Sequence, residues 1–286
     1  MEYLLSILVL CSLYVMLSSS FNLIIGYGGL VSVAHPIFFA IGAYVAALSA
    51  IHFGLSAVPA VLLGGAVAIV ASAAISLPSL RVSGDYLLIT SIGFQLGLLQ
   101  IIKNLEITGG PGGLTNIPST ITGAIRSPAF AAISVVLAAA TVLLIRWLMR
   151  GPYGRAITAM RDDELAFTAL GRNATRIKIV IFALGCGMAG IAGGIYAFFY
   201  QYVSPEQFEI LQSALILTMV VVGGISTTWG PVVGAVLLLA LPQAITFIQM
   251  PPNVAGGLQG VLYTLLVLIF MFARPQGIVS APRTQL

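Results

Sequence analysis

The sequence predicts an all-α, polytopic transmembrane bundle, and three observations carry that prediction. Of 286 residues, 59% are hydrophobic and only 7% charged, and the mean hydropathy is +1.08. A soluble domain carries roughly 25% charged residues, so a chain this poor in charge has lipid as most of its solvent. Apolar runs of span length recur along the chain with Gly, Pro, Ser and Asn between them. These runs are continuously apolar, unlike the roughly ten-residue alternating segments of outer-membrane barrels.

One crossing takes about 20 helical residues, so the length allows eight to ten spans and no large soluble domain. We read spans over 3–25, 30–51, 55–77, 84–102, 129–149, 178–200, 211–225, 231–250 and 256–273, all within one transmembrane domain covering 1–286. The first run starts directly after Glu2, without a basic region or a small-residue cleavage site, so the first span is expected to stay in the membrane. The seventh is short and ends in Gly223-Gly224, as a broken or re-entrant helix would. Cys11 and Cys186 lie in apolar runs, and His35 and His52 are isolated, so neither a disulfide framework nor a metal site is expected.

Charge orients the spans. The longest polar stretch, 150–178, holds Arg150, Arg155, Arg161, Arg172, Arg176 and Lys178, which the positive-inside rule assigns to the cytoplasm. Counting spans from it places Arg81, Arg146, Arg274 and Arg283 on the same side and leaves only Lys103 and Arg126 outside. That split predicts the N-terminus outside and the C-terminus inside. It also accounts for the net charge of +4 without invoking nucleic acid. The long outer connection, 103–128, contains Thr108-Gly109-Gly110-Pro111-Gly112-Gly113, but no Gly-Lys-Ser/Thr follows, so it is not a phosphate-binding loop.

Function is constrained first by an absence. No Asp, Glu, Lys or Arg lies deep in any predicted span, which argues against a proton-driven carrier, because such carriers usually couple through intramembrane acids. There are no paired deep carboxylates, no His cluster and no Ser/His/Asp set, so an enzyme within the membrane has no candidate machinery. Gly26-Tyr27-Gly28-Gly29 closes the first span and Gly223-Gly224 the seventh, each followed by a proline, Pro36 or Pro231. Such interruptions in two halves point to broken helices around a binding cavity. Asn22, Ser32, His35, Gln95 and Ser226 are the polar groups placed near that cavity. His35 has two readings: a neutral ring bonded to a backbone carbonyl, or a pathway-lining group.

The inner loop is expected to form an amphipathic helix over 154–171, with Ala156, Met160, Asp163, Phe167 and Leu170 near one face and Gly171 as its stop. A helix there can lie on solvent or lipid, or it can dock in the groove of a cytoplasmic partner, with Arg161, Asp162, Asp163 and Glu164 as orienting charges. Finally, Ala183, Gly187, Gly190, Gly194 and Ala197 recur every three or four residues, a ridge that lets helix backbones approach closely.

Several of these stretches are familiar together. Phe21 through His35 and on to Gly42-Ala43-Tyr44, Leu80-Arg81-Val82-Ser83-Gly84-Asp85-Tyr86, Leu105 through Leu114, Arg161-Asp162-Asp163-Glu164, Gly223 through Pro231 and Arg274-Pro275-Gln276-Gly277-Ile278 resemble LivM-type permeases of branched-chain amino-acid ABC importers. The resemblance runs from about residue 20 to 279 in the family's order. It implies a permease subunit in the bacterial inner membrane that pairs with a LivH-type permease. It also implies two cytoplasmic ATPase subunits, which bind the ATP, and a periplasmic solute-binding protein; the chain itself needs no cofactor. The substrates implied are leucine, isoleucine and valine, with urea, amides or other amino acids as the alternative. The 150–178 loop is then similar to the ATPase-coupling segment of ABC permeases. It departs from the widespread Glu-Ala-Ala-three-residue-Gly form, because Glu164 lies seven positions before Gly171 rather than six.

Overall fold

The structure is a computed structural model that describes residues 2–79, 85–119, 121, 123–246, 264–265, 268 and 277–279. Along the described residues up to Thr246, ten α-helices follow in chain order: α1 (Glu2–Asn22), α2 (His35–Phe53), α3 (Ala57–Ser79), α4 (Asp85–Asn104), α5 (Arg126–Arg150), α6 (Pro152–Asp162), α7 (Glu164–Ala169), α8 (Ala174–Tyr200), α9 (Ile210–Gly223) and α10 (Gly230–Thr246). Among the described residues, six helices are long and apolar enough to cross a membrane, and Ile210–Gly223 and Gly230–Ala240 are shorter apolar helices. These eight match the first eight predicted spans in order. The ninth, 256–273, falls almost wholly outside the described residues. At 1.5 Å per residue, the 14 residues of α9 reach about 21 Å, short of the roughly 30 Å hydrocarbon core.

α2, α3 and α8 form the tightest part of the bundle, and the glycine ridge is the reason. A Cβ on Gly193 would lie 2.0 Å from the Phe39 carbonyl oxygen, and one on Gly42 would lie 2.0 Å from that of Gly190. Gly190 also meets Ala68 and Gly64 of α3, while Gly194 meets Val61 and Gly187 meets Ile69. The ridge therefore serves two neighbours. α1 packs against α5 on one side and against α8, α9 and α10 on the others. Outward surfaces stay apolar: Val58, Val70, Val136 and Trp147 are each more than 65% exposed, as lipid or a partner helix requires.

The two sides sorted by charge meet among themselves. At one end, Leu114 and Thr115 pair antiparallel with Val203 and Tyr202, Lys103 bonds Glu209 at 2.9 Å, and Arg126 donates to the Phe199 carbonyl at 2.6 Å. At the other end, Arg161 reaches Gly26 and Ser226, and the amides of Ile278 and Val279 donate to the Val222 and Gly223 carbonyls.

Candidate functional site

The site begins where α1 ends. After Asn22 the helix widens into a π-turn over Leu23–Tyr27, and the chain then runs without regular structure from Gly29 to α2, with Gly29 at φ +66°. α2 opens on His35-Pro36, where proline costs no hydrogen bond because the first amides of a helix have no partner within it. The second break lies between α9 and α10. There Gly224 adopts φ +126°, and Thr227 Oγ1 donates to the Gly224 carbonyl at 2.7 Å and accepts from the Gly230 amide at 3.0 Å.

Tertiary packing joins the two breaks. The Asn22 amide group donates through Nδ2 to the Thr227 carbonyl at 2.8 Å, while its Oδ1 accepts from the Ser226 amide at 3.0 Å. Ser226 Oγ donates to the Gly26 carbonyl at 2.7 Å. The fit requires glycine at 26, since a Cβ there would stand 2.1 Å from Asn22 Oδ1 and 2.8 Å from the Ser226 nitrogen. Arg161, at the end of α6, donates from one terminal nitrogen to the Gly26 carbonyl (3.1 Å) and to Ser226 Oγ (2.9 Å). Its Cγ occupies the space a Cβ on Gly29 would need, at 2.5 Å.

The other predicted pathway residues lie elsewhere. His35 Nε2 bonds the buried Ser20 Oγ at 2.9 Å and its ring packs 5.1 Å from that of Phe21. Ser32 accepts from the Ala34 amide at 3.4 Å. Gln95 ties α4 to the start of α9, donating to the Phe208 carbonyl at 3.2 Å and accepting from Ser213 Oγ at 2.9 Å. Only Asn22 and Ser226 of the five touch each other. A side chain that bridges separate spans, such as Ser213, carries no signal in a single sequence beyond being polar within an apolar run.

The inner loop departs from expectation in one respect. It forms two helices instead of one, divided at Asp163, which takes an extended backbone (φ −153°, ψ +102°). Its Oδ1 accepts from the Ala166 amide at 2.9 Å, the geometry of an N-cap. Asp is as good a cap as it is poor a helix interior, and here the cap prevails. The break splits the predicted face, so that Met160 and Phe167 are buried while Leu170 is 81% exposed. Gly171, at φ +75°, ends the helix as foreseen. All four of these loop charges are engaged inside the chain. Arg161 holds the two breaks, Asp163 caps α7, and Glu164 pairs at 2.6 Å with Lys178, whose side chain is only 5% exposed. Asp162 bonds the Arg161 guanidinium at 3.1 Å and remains largely exposed, next to the exposed Leu165 and Leu170. Beside them α6, α7 and the start of α8 frame a cavity of about 600 Å³, with Tyr153, Ala156, Phe167 and Val180 as apolar walls and Arg172 and Arg176 as basic ones. Burial pushes the Tyr153 phenol above its usual range, so it stays neutral at physiological pH.

Replacing Asp163 by Ala is expected to cost α7 about 1 kcal/mol, whereas Asp163→Asn keeps the cap. Amide hydrogen exchange across 164–169 checks this: exchange should speed up in the alanine variant and stay near the parent in the asparagine variant.

Fold and site together define a multi-pass α-helical membrane protein with two glycine-rich breaks tied together and the 150–178 loop seated on the knot. The chain belongs to the branched-chain amino acid transport system permease component family, which it matches over residues 3–270. It is 32% identical to the high-affinity branched-chain amino acid transport system permease protein LivM of Salmonella typhimurium strain LT2, over 96% of this chain and 69% of that one. It is 31% identical to LivM of Escherichia coli strain K12, over 97% and 70%. It is also 26% identical to the LivH permease of the same E. coli strain, over 54% of this chain and 48% of LivH. No solved structure matches the chain.

Proposed function

We propose that this chain is one permease subunit of an ATP-driven importer that carries leucine, isoleucine and valine across the bacterial cytoplasmic membrane. The observation that carries the reading is the 32% identity to LivM along nearly the whole chain. Its partners are then a LivH-type permease, two cytoplasmic ATPase subunits that bind and hydrolyse ATP, and a periplasmic binding protein that delivers the solute. The similarity to LivH itself fits a pair of related permeases. The chain needs no cofactor of its own. The excess of basic residues on the loop side sets the N-terminus outside and the 150–178 loop inside. Leu165 and Leu170, exposed on a short capped helix, are the apolar contacts we assign to the ATPase groove, with Asp162 as the orienting charge.

Reconstitution in liposomes tests the reading. The full set of subunits is expected to accumulate labelled leucine only with ATP inside, and the chain alone is expected to pass none. Flux through the isolated chain would replace the reading with a channel or secondary carrier. Accumulation of urea but not leucine would keep the importer and change the solute.

A further inference from the structure

The residue that joins the inner loop to the two breaks has a role that a docking surface does not require. Arg161 lies in the last turn of α6, directly before the exposed Asp162, yet its guanidinium turns inward. There it meets the Gly26 carbonyl and Ser226 Oγ, which are themselves bonded at 2.7 Å. The Gly26 carbonyl belongs to the last turn of the first span. Carbonyls at a helix end have no partner within the helix and carry the negative pole of its dipole, so a cation there is favoured. The remaining guanidinium nitrogens bond Asp162 Oδ1 at 3.1 and 3.3 Å, which fixes the fork in position. One side chain thus spans the end of the first span, the turn between α9 and α10, and the loop assigned to the ATPase.

We propose that Arg161 is the coupling residue of the transporter, a latch that holds the inner ends of the two glycine-rich breaks together until movement of the docked loop withdraws it. This rests on the ATP-driven reading above. Bonds of 2.9–3.1 Å tolerate little displacement, so moving the guanidinium nitrogen about 1 Å away from these two acceptors carries it beyond hydrogen-bonding range. Gly26 and Gly29 make room for the latch: the first lets Ser226 approach, the second accommodates the Arg161 stem. Withdrawal leaves the two breaks joined only by neutral hydrogen bonds, Ser226 Oγ to the Gly26 carbonyl and Asn22 to Ser226 and Thr227, each weaker than a charge-assisted one.

The test compares the ratio of leucine transported to ATP hydrolysed in the complete reconstituted complex for the parent, Arg161→Ala, Arg161→Lys and Ser226→Ala. Arg161→Ala is expected to lower that ratio roughly tenfold while the ATPase keeps turning over, the scale set by losing a charge-assisted contact from one state of a two-state element. Arg161→Lys should fall between, since a lysine supplies the charge without the fork. Ser226→Ala, which leaves the Gly26 contact in place, should lower the ratio less than Arg161→Ala. An unchanged ratio in Arg161→Ala, or uptake and hydrolysis falling together in an assembled complex, overturns the latch. If Arg161→Ala does not assemble, Ser226→Ala decides, and an unaltered ratio there overturns the proposal. A parent complex that moves neither leucine nor urea with ATP would instead sink the importer reading, so the two failures are distinct.

Discussion

Gly193→Val is expected to abolish the folded chain, or to lower its thermal midpoint in detergent by more than any other single substitution on α8. The prediction follows from what surrounds Gly193. Its absent Cβ would lie 2.0 Å from the Phe39 carbonyl oxygen and 2.8 Å from the Ala43 nitrogen, both backbone atoms of α2. A flexible side chain could swing aside, but a helix backbone in the centre of a bundle cannot move without its neighbours. Restoring ordinary contact means separating α2 and α8 by more than an ångström along a crossing that also includes Gly42 and Gly190, where a Cβ on Gly42 would lie 2.0 Å from the Gly190 carbonyl oxygen. Overpacking a core costs about 1–3 kcal/mol when side chains can adjust, and more when the backbone must move. Dispersion between close backbones is the main attraction between helices in lipid, so separating them also removes what holds them. Gly193→Ala should show the same effect at reduced size. Gly97→Ala on α4 provides the contrast: nothing lies within 4 Å of its Cβ position, so it should be neutral or slightly stabilising through helix propensity. Fluorescence-detected size exclusion after heating measures all three, and a Gly193→Val chain as heat-stable as the parent would refute the packing argument.

Asn22→Leu is expected to have the second-largest effect, and through a different cause. Leucine keeps the branched heavy-atom skeleton of asparagine but can neither accept from the Ser226 amide nor donate to the Thr227 carbonyl, bonds of 3.0 and 2.8 Å in the parent. Asn22 is 1% exposed and Thr227 8%, so water reaches the orphaned groups poorly. Each buried polar group left without a partner costs about 1–3 kcal/mol, giving about 2–6 kcal/mol for the pair. The loss falls on the turn between α9 and α10, where Gly224 at φ +126° already holds the backbone in a conformation that only a fixed surrounding maintains. Transport by the assembled complex should therefore fall, along with the midpoint. Asn22→Leu with parental stability and uptake would show that the two breaks do not depend on this side chain.

Much of this was legible in the sequence, for identifiable reasons. Eight apolar runs became eight helices in order, because in lipid a run of that length has no other way to satisfy its backbone. Gly171 as the stop of the loop helix and the short seventh span were equally visible, since a positive φ and a glycine pair are local signals. The loop helix was read as one when it is two. Amphipathic periodicity runs through Asp163, and whether an aspartate continues a helix or caps the next depends on the amide three residues on. Of the five polar residues assigned to one cavity, Asn22 and Ser226 bond each other while Gln95 bonds Phe208 and Ser213 and His35 bonds Ser20, because polarity within an apolar run shows that a partner exists without showing which one.

The sequence by itself therefore determined the class of solvent, the succession of helices and the sorting of charge between two sides. These follow from composition and period, which act over tens of residues. Tertiary structure alone decided that Asn22 binds a turn 205 residues away and that Gly42, Gly64 and Gly190 share one crossing. It alone turned Arg161 inward to the breaks, where the sequence had assigned it to a partner. Those pairings depend on which helix faces which, a choice made by close packing and by the cost of an unpaired polar group, and neither acts along the chain.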